Sequence, residues 1–426
     1  MTQFSDRKVA ESLDMTDPLI TFRSKFYIQN SDLIYLDGNS LGRLLMKSSD
    51  SIAETTHEAW GENLISSWNE GWYDLPNSLG NRLAPLIGAS EDEVIMADST
   101  SVNLYKLADA SLRIQKDRKR IVSDTLNFPT DLYILQGIIK NLNQGHELCL
   151  AGSVDGIHPN LDELESLIDD KTALVVLSLV AFKSGYLYDM ERITKMAHTM
   201  GAMVIWDLSH ATGALPVHLN HCEADMAVGC TYKYLNGGPG SPAFLYVRKE
   251  IQDRLVNPIQ GWFGESNPFD FRLDYREAST IRKFLTGTPP IISMSAIGPG
   301  VDLLVEAGIE RIRAKSLLQS RFLIDMAIAL LLPLGFTIGS PMEENRRGSH
   351  VTLRHPEAYR ICQALIQPRK STLRIIPDFR EPNNIRFGLT PLYTSYLEIW
   401  QAISRTRDIV ENREYLEYAS LRMQVT

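Results

Sequence analysis

An aspartate, a histidine and a lysine follow one another in the segment 202–240, AMVIWDLSHATGALPVHLNHCEADMAVGCTYKYLNGGPG. Asp207 ends one apolar run, His210 comes three residues later, and Lys233 closely follows a second apolar run. A lysine amine can attach covalently to a cofactor aldehyde, and a carboxylate can keep a pyridine nitrogen protonated so that the ring accepts electrons. This order of side chains therefore favours pyridoxal 5'-phosphate as the cofactor, carried on Lys233.

Each of these residues also has an ordinary structural alternative. An aspartate after a strand often caps a helix or forms a turn, and a lysine in a polar loop is usually solvated. His210 could simply begin a helix, and the segment Asn236–Gly240 could be only a turn. It is the ordered combination, rather than any single member, that indicates a site.

The elements around these residues alternate between about Glu93 and Val247. Strands that are apolar throughout and separated by helices indicate a sheet buried on both faces. The predicted strands are Val94–Ala97, Ile121–Ser123, Leu148–Leu150, Ala173–Ser178, Ala202–Asp207, Ala224–Cys230 and Ala243–Val247. The predicted helices between them are Val102–Ile114, Thr130–Leu142, Leu161–Ile168 and Met190–Met200. The pattern predicts an α/β fold with a mostly parallel seven-stranded sheet, in which ligands bind at the carboxyl ends of the strands.

The character of the sequence changes near Pro299. One long helical stretch is predicted from there to Leu332, and a last helix is predicted from about Tyr396. Between them lie short apolar runs around 336–338, 351–353 and 385–387, which are typical of a smaller α+β domain. We predict a large cofactor-binding domain at 46–298, a small C-terminal domain at 299–426, and an N-terminal segment, 1–45, that joins the small domain.

Composition excludes several classes of partner. The chain has 426 residues and a formal net charge of −9, which gives no electrostatic reason for nucleic acid or an anionic membrane to bind. No apolar run approaches the roughly 20 residues that span a bilayer, and the N-terminus lacks the apolar core of a secretory signal. Metal-ligand motifs are absent, so no metal is expected.

The four cysteines form no CxxC pair, which favours a reducing, cytoplasmic setting. They are Cys149, Cys222, Cys230 and Cys362.

Motifs throughout the chain carry a family resemblance. They are YLDGNSLG (35–42), SWNEGWYDLPNSLGNRLAPLIGA (67–89), DSTSVNLYKL (98–107), FPTDLY (128–133), SGYLYDM (184–190), TYKYLNGGPG (231–240), QGWFG (260–264), TGTPPI (286–291) and IRFGLTPLY (385–393). With them the sequence resembles the kynureninases, within the fold-type-I, aspartate-aminotransferase-like superfamily of pyridoxal-phosphate enzymes. The superfamily at large shares the aspartate and the lysine, whereas YLDGNSLG, FPTD, GWFG and R-x-x-x-x-P-L-Y are more specific.

The resemblance implies a set of cofactor contacts. They are Thr100, Ser101, Phe128, Pro129, Thr130, Asp131, Ser178, Asp207, His210, Tyr232, Lys233, Trp262 and Thr288. Phe128 is expected to stack on the cofactor ring, and His210 to support Asp207. Trp262 and Thr288 are expected to reach the phosphate from a second subunit, which implies a homodimer; otherwise they are an interface or core tryptophan and a turn threonine.

The resemblance also implies a reaction, the hydrolytic cleavage of L-kynurenine or 3-hydroxykynurenine to anthranilate or 3-hydroxyanthranilate and L-alanine. Lys233, Asp207 and Tyr232 are the expected catalytic residues. Arg386 is expected to bind the substrate α-carboxylate, because a guanidinium can donate two hydrogen bonds to it. The choice between the two substrates stays open, as does the choice between tryptophan catabolism by the kynurenine pathway and NAD biosynthesis as the setting.

One departure and three alternatives accompany this interpretation. Many kynureninases carry polar residues and a tyrosine where this chain has Leu179–Lys183, so a more apolar wall is expected if that segment lines the site. The pattern G-x-S-x-G at Gly38–Gly42 also matches a serine hydrolase. Another alternative is a different enzyme of the superfamily, such as an aminotransferase or a cysteine desulfurase, which would need Cys362 as a mobile nucleophile. A non-enzymatic binding protein should lack Lys233 or Asp207.

Overall fold

The computed structural model describes residues 6–421 and contains helices and strands in alternation. The strands are, in chain order, β1 (Leu33–Tyr35), β2 (Val94–Ala97), β3 (Arg120–Asp124), β4 (Glu147–Ala151), β5 (Thr172–Ser178), β6 (Met203–Asp207), β7 (Met226–Gly229), β8 (Ala243–Val247), β9 (Thr337–Ile338), β10 (His350–Arg354), β11 (Arg374–Ile376), β12 (Asp378–Arg380) and β13 (Asn384–Gly388). The α-helices are α1 (Arg7–Met15), α2 (Met46–Glu54), α3 (Leu75–Leu83), α4 (Thr100–Ile114), α5 (Pro129–Leu142), α6 (Leu161–Leu167), α7 (Met190–Thr199), α8 (Ile291–Ser295), α9 (Ile297–Ala307), α10 (Ile309–Leu330), α11 (Ala358–Ile366) and α12 (Tyr396–Glu411).

Strands β2 to β8 form one seven-stranded sheet in the order β2-β8-β7-β6-β5-β3-β4. The central pairs, such as β5 with β6 and β6 with β7, are parallel, whereas β8 runs antiparallel to both of its neighbours. Two hydrophobic cores cover this sheet, one containing Val175 and Trp206 and the other Val176 and Ile205. Because alternate side chains of one strand enter different cores, both faces are buried. The predicted α/β class and mostly parallel sheet are confirmed.

The C-terminal third builds a second, antiparallel sheet with the order β12-β13-β10-β9. Its core also contains Ala10, Ile34 and Leu36 from the N-terminal segment, and β1 pairs with β11 in parallel, Leu33 opposite Arg374. These contacts support the expected association of the first segment with the C-terminal part. The domain division at 45 and 298 stays a prediction, and positions 1–5 and 422–426 lie outside the described residues.

The long helical stretch predicted from Pro299 to Leu332 is divided. Gly308 has φ +81° and separates α9 from α10, because a backbone with this dihedral cannot continue a right-handed helix. Among the described residues, no single helix is long and apolar enough to cross a membrane. The segments Ile291–Ala307 and Ile309–Leu330 meet that test only as a pair bent by 81°.

The bridging loop, which we define as Asp37–Gly42, joins the two sheets. At one end the Gly388 N–H in β13 donates to the carbonyl of Leu36 at 2.6 Å, and at the other the Gly42 N–H donates to the carbonyl of Tyr232 at 2.8 Å. A Cβ atom on Gly42 would collide with the carbonyl of Lys233, so this close approach requires glycine. One short segment from the N-terminal part therefore contacts both the loop that carries Lys233 and the four-stranded antiparallel sheet.

Candidate active site

The carboxyl ends of β6 and β7 bring the predicted aspartate and lysine to one edge of the large sheet. β6 ends at Asp207, whose Oδ1 accepts a hydrogen bond from the Ser209 N–H at 2.7 Å. β7 ends at Gly229, and the loop after it carries Lys233. The Nζ atom of Lys233 lies 3.0 Å from Nε2 of His210. Asp207, His210 and Lys233 therefore line the same cavity.

The imidazole of His210 is neutral. Burial, and next the charge of Lys233, lower the pKa of His210 well below its ordinary value. A neutral ring can accept a hydrogen bond from the Lys233 ammonium or donate one to the free amine, according to its tautomer. The other ring nitrogen, Nδ1, is buried and has no hydrogen-bond partner within residues 6–421.

Two buried carboxyl groups, Asp131 and Asp207, lie side by side near the lysine. Burial, followed by the neighbouring Asp207 carboxylate, raises the pKa of Asp131 well above its ordinary value. This shift favours the protonated form of Asp131, which can share its proton with Asp207, because two carboxylates this close resist ionising together. One oxygen of Asp131, Oδ2, has no partner in the described part of the chain. The pair therefore offers a single negative charge and one unused polar atom.

The start of α4 supplies a group of hydrogen-bond donors. Ser99 caps the helix, its hydroxyl accepting from the Val102 N–H at 3.4 Å. Thr100 and Ser101 follow in the first turn, where backbone N–H groups have no partner inside the helix. Free N–H groups, hydroxyls and the positive end of the helix dipole together suit a phosphate group.

A cavity of about 320 Å³ connects these groups, a volume in the range of small-molecule sites. It is lined by Asn39, Ser40, Thr100, Ser101, Phe128, Thr130, Asp131, Phe182, Asp207, Ser209, His210, Tyr232, Lys233, Arg380 and Arg386. Most of the predicted site residues are in this set. Five lining residues were not among the predicted site residues: Asn39, Ser40, Phe182, Ser209 and Arg380. Asn39 and Ser40 belong to the YLDGNSLG motif, and Phe182 belongs to the segment Leu179–Lys183 that departs from the family pattern.

Arg386 lies on β13 and is fully buried. Its Nη1 donates to the carbonyl of Phe182 at 2.6 Å, and its Nη2 donates to Ser40 Oγ at 2.7 Å and pairs with Asp378 at 2.5 Å. Arg380, two residues after Asp378 along β12, donates to the same carboxylate at 2.7 Å. Two guanidinium groups therefore meet at one wall of the cavity, where both pair with Asp378.

The departure from the family pattern reaches the cavity through Phe182. Phe182 lines the cavity, whereas Leu179, Val180 and Ala181 are buried without lining it. The Phe182 ring meets the ring of Phe128 edge to face, with centroids 5.1 Å apart. The cavity wall is therefore apolar at Phe182, the residue of the segment Leu179–Phe182 that reaches it.

Four predicted cofactor contacts lie away from the cavity lining. Ser178 ends β5, and its hydroxyl donates to Asn127 Oδ1 at 2.6 Å. Pro129 occupies the first position of α5, where its missing N–H is not needed. Thr288 lines a second cavity of about 520 Å³, and Trp262 packs against Phe263 with ring centroids 4.6 Å apart. Within this one chain, neither Trp262 nor Thr288 joins the first cavity.

Tyr232 lines both cavities. Burial, and next the neighbouring Cys230, raise the pKa of Tyr232. The phenol is therefore protonated at neutral pH and can donate a hydrogen bond or a proton. Its position between the two cavities is suitable for a group that contacts both a phosphate and a substrate.

The two sequence-based rivals with a nucleophile are not supported by the geometry. Ser40 accepts a hydrogen bond from Arg386, and its hydroxyl also contacts the Asp37 carboxylate. The segment Gly38–Gly42 is not the tight strand-to-helix turn of a hydrolase, because the next helix, α2, begins only at Met46. Cys362 is fully buried in α11, in the core of the small sheet. A buried helical thiol cannot act as the mobile nucleophile of a desulfurase.

The residues of the first cavity fit pyridoxal phosphate. A lysine amine is available for covalent attachment, and the carboxyl pair supplies the negative charge that a protonated ring nitrogen needs. The helix start at Thr100 suits the phosphate, and the exposed ring of Phe128 is free to stack. The unpartnered atoms of Asp131 and His210 are polar atoms that a bound ligand would satisfy.

Comparison with known proteins identifies relatives of the whole chain. Residues 312–405 match the family model "Kynureninase C-terminal domain". A kynureninase of Pseudomonas fluorescens is 42% identical over 411 residues, covering 95% of this chain and 96% of that protein. A kynureninase of Burkholderia mallei (strain SAVP1) is 41% identical over 414 residues, covering 96% of each.

Solved structures of lower identity share the fold. The apo cysteine desulfurase of Thermococcus onnurineus NA1 superposes with a TM-score of 0.77 at 19% identity, covering 94% of this chain and 98% of that one. A lysine-to-alanine mutant of C-DES, with glycine covalently linked to its PLP cofactor, gives a TM-score of 0.74 at 16% identity, covering 88% and 96%. At these identities the superpositions show a common fold and no more.

Proposed function

Because the chain belongs to the kynureninase family, we propose that it hydrolyses the Cβ–Cγ bond of L-kynurenine, or of 3-hydroxykynurenine, releasing anthranilate, or 3-hydroxyanthranilate, and L-alanine. The resemblance inferred from the motifs is confirmed: this is a pyridoxal-phosphate enzyme that cleaves kynurenine, and an aminotransferase or a desulfurase is not favoured. The observation that carries the proposal is the 42% identity across 95% of the chain. The cavity that contains Lys233 and Asp207 supplies the chemistry.

Pyridoxal phosphate, when bound, stabilises negative charge at the substrate α-carbon. We propose that Lys233 is its attachment point and that Asp207, with the proton of Asp131, keeps the ring nitrogen cationic. Thr100, Ser101 and Tyr232 are the proposed phosphate contacts, and Phe128 is the proposed stacking ring. The implied roles of Pro129, Thr130, Ser178, Trp262 and Thr288 stay proposals as well.

The proton transfers follow from three side chains. We propose that the Lys233 amine removes the α-proton of the substrate, with neutral His210, 3.0 Å away, orienting it. Since burial keeps Tyr232 protonated, its phenol can donate a proton when the carbon–carbon bond breaks. Arg386 is the proposed site of the substrate α-carboxylate, and Arg380 adds positive charge beside it.

The reaction itself is tested by product analysis. Purified protein loaded with pyridoxal phosphate should release one anthranilate and one L-alanine for each kynurenine consumed, both measured by chromatography. Steady-state rates on kynurenine and on 3-hydroxykynurenine would show which is preferred. Transamination with a keto acid, without release of anthranilate, would contradict the proposal.

We infer that the active sites are completed in a homodimer. A surface hollow of about 490 Å³ is lined almost entirely by apolar residues near Thr288, among them Trp60, Pro290 and Ile292. Trp60 is 55% exposed and Ile292 44%, and contiguous apolar surface of this kind marks a protein interface. Thr286 donates to Asp98 Oδ1 at 3.2 Å, which anchors the loop that carries Thr288 beside the second cavity and close to this apolar hollow.

Subunit mixing tests this inference. Lys233→Ala and the double variant Trp262→Ala/Thr288→Ala should each have little activity alone. If Trp262 and Thr288 act across the interface, unfolding and refolding the two together should restore about one quarter of wild-type activity, since half of the dimers then contain one complete site. Recovery confined to the level of the unmixed variants would show that these residues act within their own chain, and sedimentation velocity would report the oligomer directly.

We propose a cytoplasmic location, since all four cysteines are free thiols. The small-molecule amino acid is the proposed partner, in tryptophan catabolism by the kynurenine pathway or in NAD biosynthesis. Neither nucleic acid nor membrane is proposed as a partner.

A further inference from the structure

The side chain of Asn39 is completely buried yet makes no hydrogen bond. Neither Oδ1 nor Nδ2 has a hydrogen-bond partner among residues 6–421. Buried side-chain amides normally have partners, because water can no longer supply them. Asn39 also lines the first cavity. A group inside the cavity is therefore the natural partner of this amide.

The bridging loop holds Asn39 firmly in that position. The Ser40 and Leu41 N–H groups both donate to the carbonyl of Asp37, at 2.9 and 3.1 Å, which closes a tight turn around Asn39. On the other side the amide lies against Gly388 of β13, where any Cβ atom would collide with Asn39 Oδ1. The amide is thus fixed by the backbone on both sides, without using its own polar atoms.

Arg386, which lines the same cavity, also has a buried N–H donor without a hydrogen-bond partner within residues 6–421. Its Nη1 and Nη2 atoms are used by Phe182, Ser40 and Asp378, whereas its Nε is buried and has no acceptor in the described chain. Ser40, the neighbour of Asn39, accepts directly from Arg386. Two unpaired N–H donors, Asn39 Nδ2 and Arg386 Nε, therefore belong to residues that line the same cavity, and Arg386 contacts the residue next to Asn39.

We propose that Asn39 is a substrate-binding residue, whose amide donates to one oxygen of the α-carboxylate that Arg386 binds. This inference rests on the proposed function, because it assumes an amino-acid substrate in the first cavity. A carboxylate offers two oxygens that only accept hydrogen bonds, which matches two unpaired donors. Since the two Nη atoms of Arg386 already have protein partners, Arg386 Nε and Asn39 Nδ2 together provide one donor for each carboxylate oxygen.

The test compares two probes that differ only by the carboxylate, L-alanine and ethylamine. Binding of each to the holoenzyme is read from the absorbance of the bound cofactor, without turnover. Asn39→Ala should weaken L-alanine binding about 10- to 100-fold, the range for a hydrogen bond to a charged group, and leave ethylamine binding almost unchanged. Arg386→Lys should show the same selectivity, because a lysine has no N–H group at the position of the Arg386 Nε.

Leu41→Ala is the matched control, since Leu41 belongs to the same loop but does not line the cavity; it should leave both affinities as in the wild type. Asn39→Asp provides a second variant and should weaken L-alanine binding more than Asn39→Ala, because the new carboxylate would repel the carboxylate of L-alanine. Equal losses for L-alanine and ethylamine, or a loss of cofactor affinity alone, would overturn the proposal. Failure of the proposed function would appear instead as absence of anthranilate from the wild type, with the L-alanine titrations unaffected.

Discussion

Replacement of Lys233 by alanine should abolish kynurenine cleavage while leaving a folded protein. The amine is both the proposed attachment point of the cofactor and the proposed base at the α-carbon, so its loss removes two functions at once. Since general base catalysis alone contributes about 10²–10⁴-fold, we expect a decrease of at least about 10⁴-fold in kcat. Steady-state release of anthranilate measures the effect, and the circular dichroism spectrum checks the fold.

A chemical experiment on the wild-type chain complements this variant. Treatment of the holoenzyme with borohydride should fix the cofactor covalently on the peptide that contains Lys233, which mass spectrometry would identify. Lys171→Ala is a suitable control, because Lys171 is exposed and does not line the cavity; its activity should match the wild type. Labelling of another lysine would mean that the attachment point has been misassigned.

Replacement of Asp207 by asparagine should slow removal of the substrate α-proton by on the order of 10³-fold, the range for loss of one preorganised electrostatic contact in a buried site. An asparagine can still accept a hydrogen bond, but it provides no negative charge to keep the ring nitrogen protonated. Exchange of the α-proton with deuterated solvent, followed by nuclear magnetic resonance, isolates this step from carbon–carbon cleavage.

Asp131→Asn is the internal control for the charge. Because burial and Asp207 raise the pKa of Asp131 and so favour its neutral form, an asparagine there replaces a neutral group with another neutral group of similar shape. Its cost in α-proton exchange should therefore be clearly smaller than that of Asp207→Asn. If Asp131→Asn were the more damaging change, the negative charge would belong to Asp131 and the two assignments would be reversed.

The sequence could predict the large sheet and the two residues at its edge because both depend on local patterns. A strand that is buried on both faces appears in the sequence as an uninterrupted run of apolar residues, and Asp207 lies at the carboxyl end of such a run. Helix α4 was predicted from Val102, and it begins two residues earlier at Thr100 because Ser99 caps it. The lysine could be placed by the glycine-rich loop that follows it.

The remaining parts of the site could not be predicted because they depend on distant segments. Arg380 lines the cavity from β12, where it pairs with Asp378. The sequence did not predict this short strand. Asn39 lay inside a quoted motif, yet only the three-dimensional structure shows that its amide lacks a partner. The break at Gly308 was missed because a glycine within a periodic apolar stretch is compatible with a continuous helix as well as with an end.

The bridging loop makes assembly of the cavity depend on segments near both ends of the chain. Leu36, the residue just before the loop, bonds to Gly388, and Gly42 bonds to Tyr232. Residues near the beginning of the chain therefore reach their final position only when a strand close to the end is present. Contacts between such distant positions form late, since closing a long loop costs entropy before any contact repays it. A ribosome must therefore release almost the whole polypeptide before the carboxylate-binding wall of the cavity can assemble. Nascent or truncated chains that end before β13 should be unable to engage an amino acid, even where the large sheet has already folded.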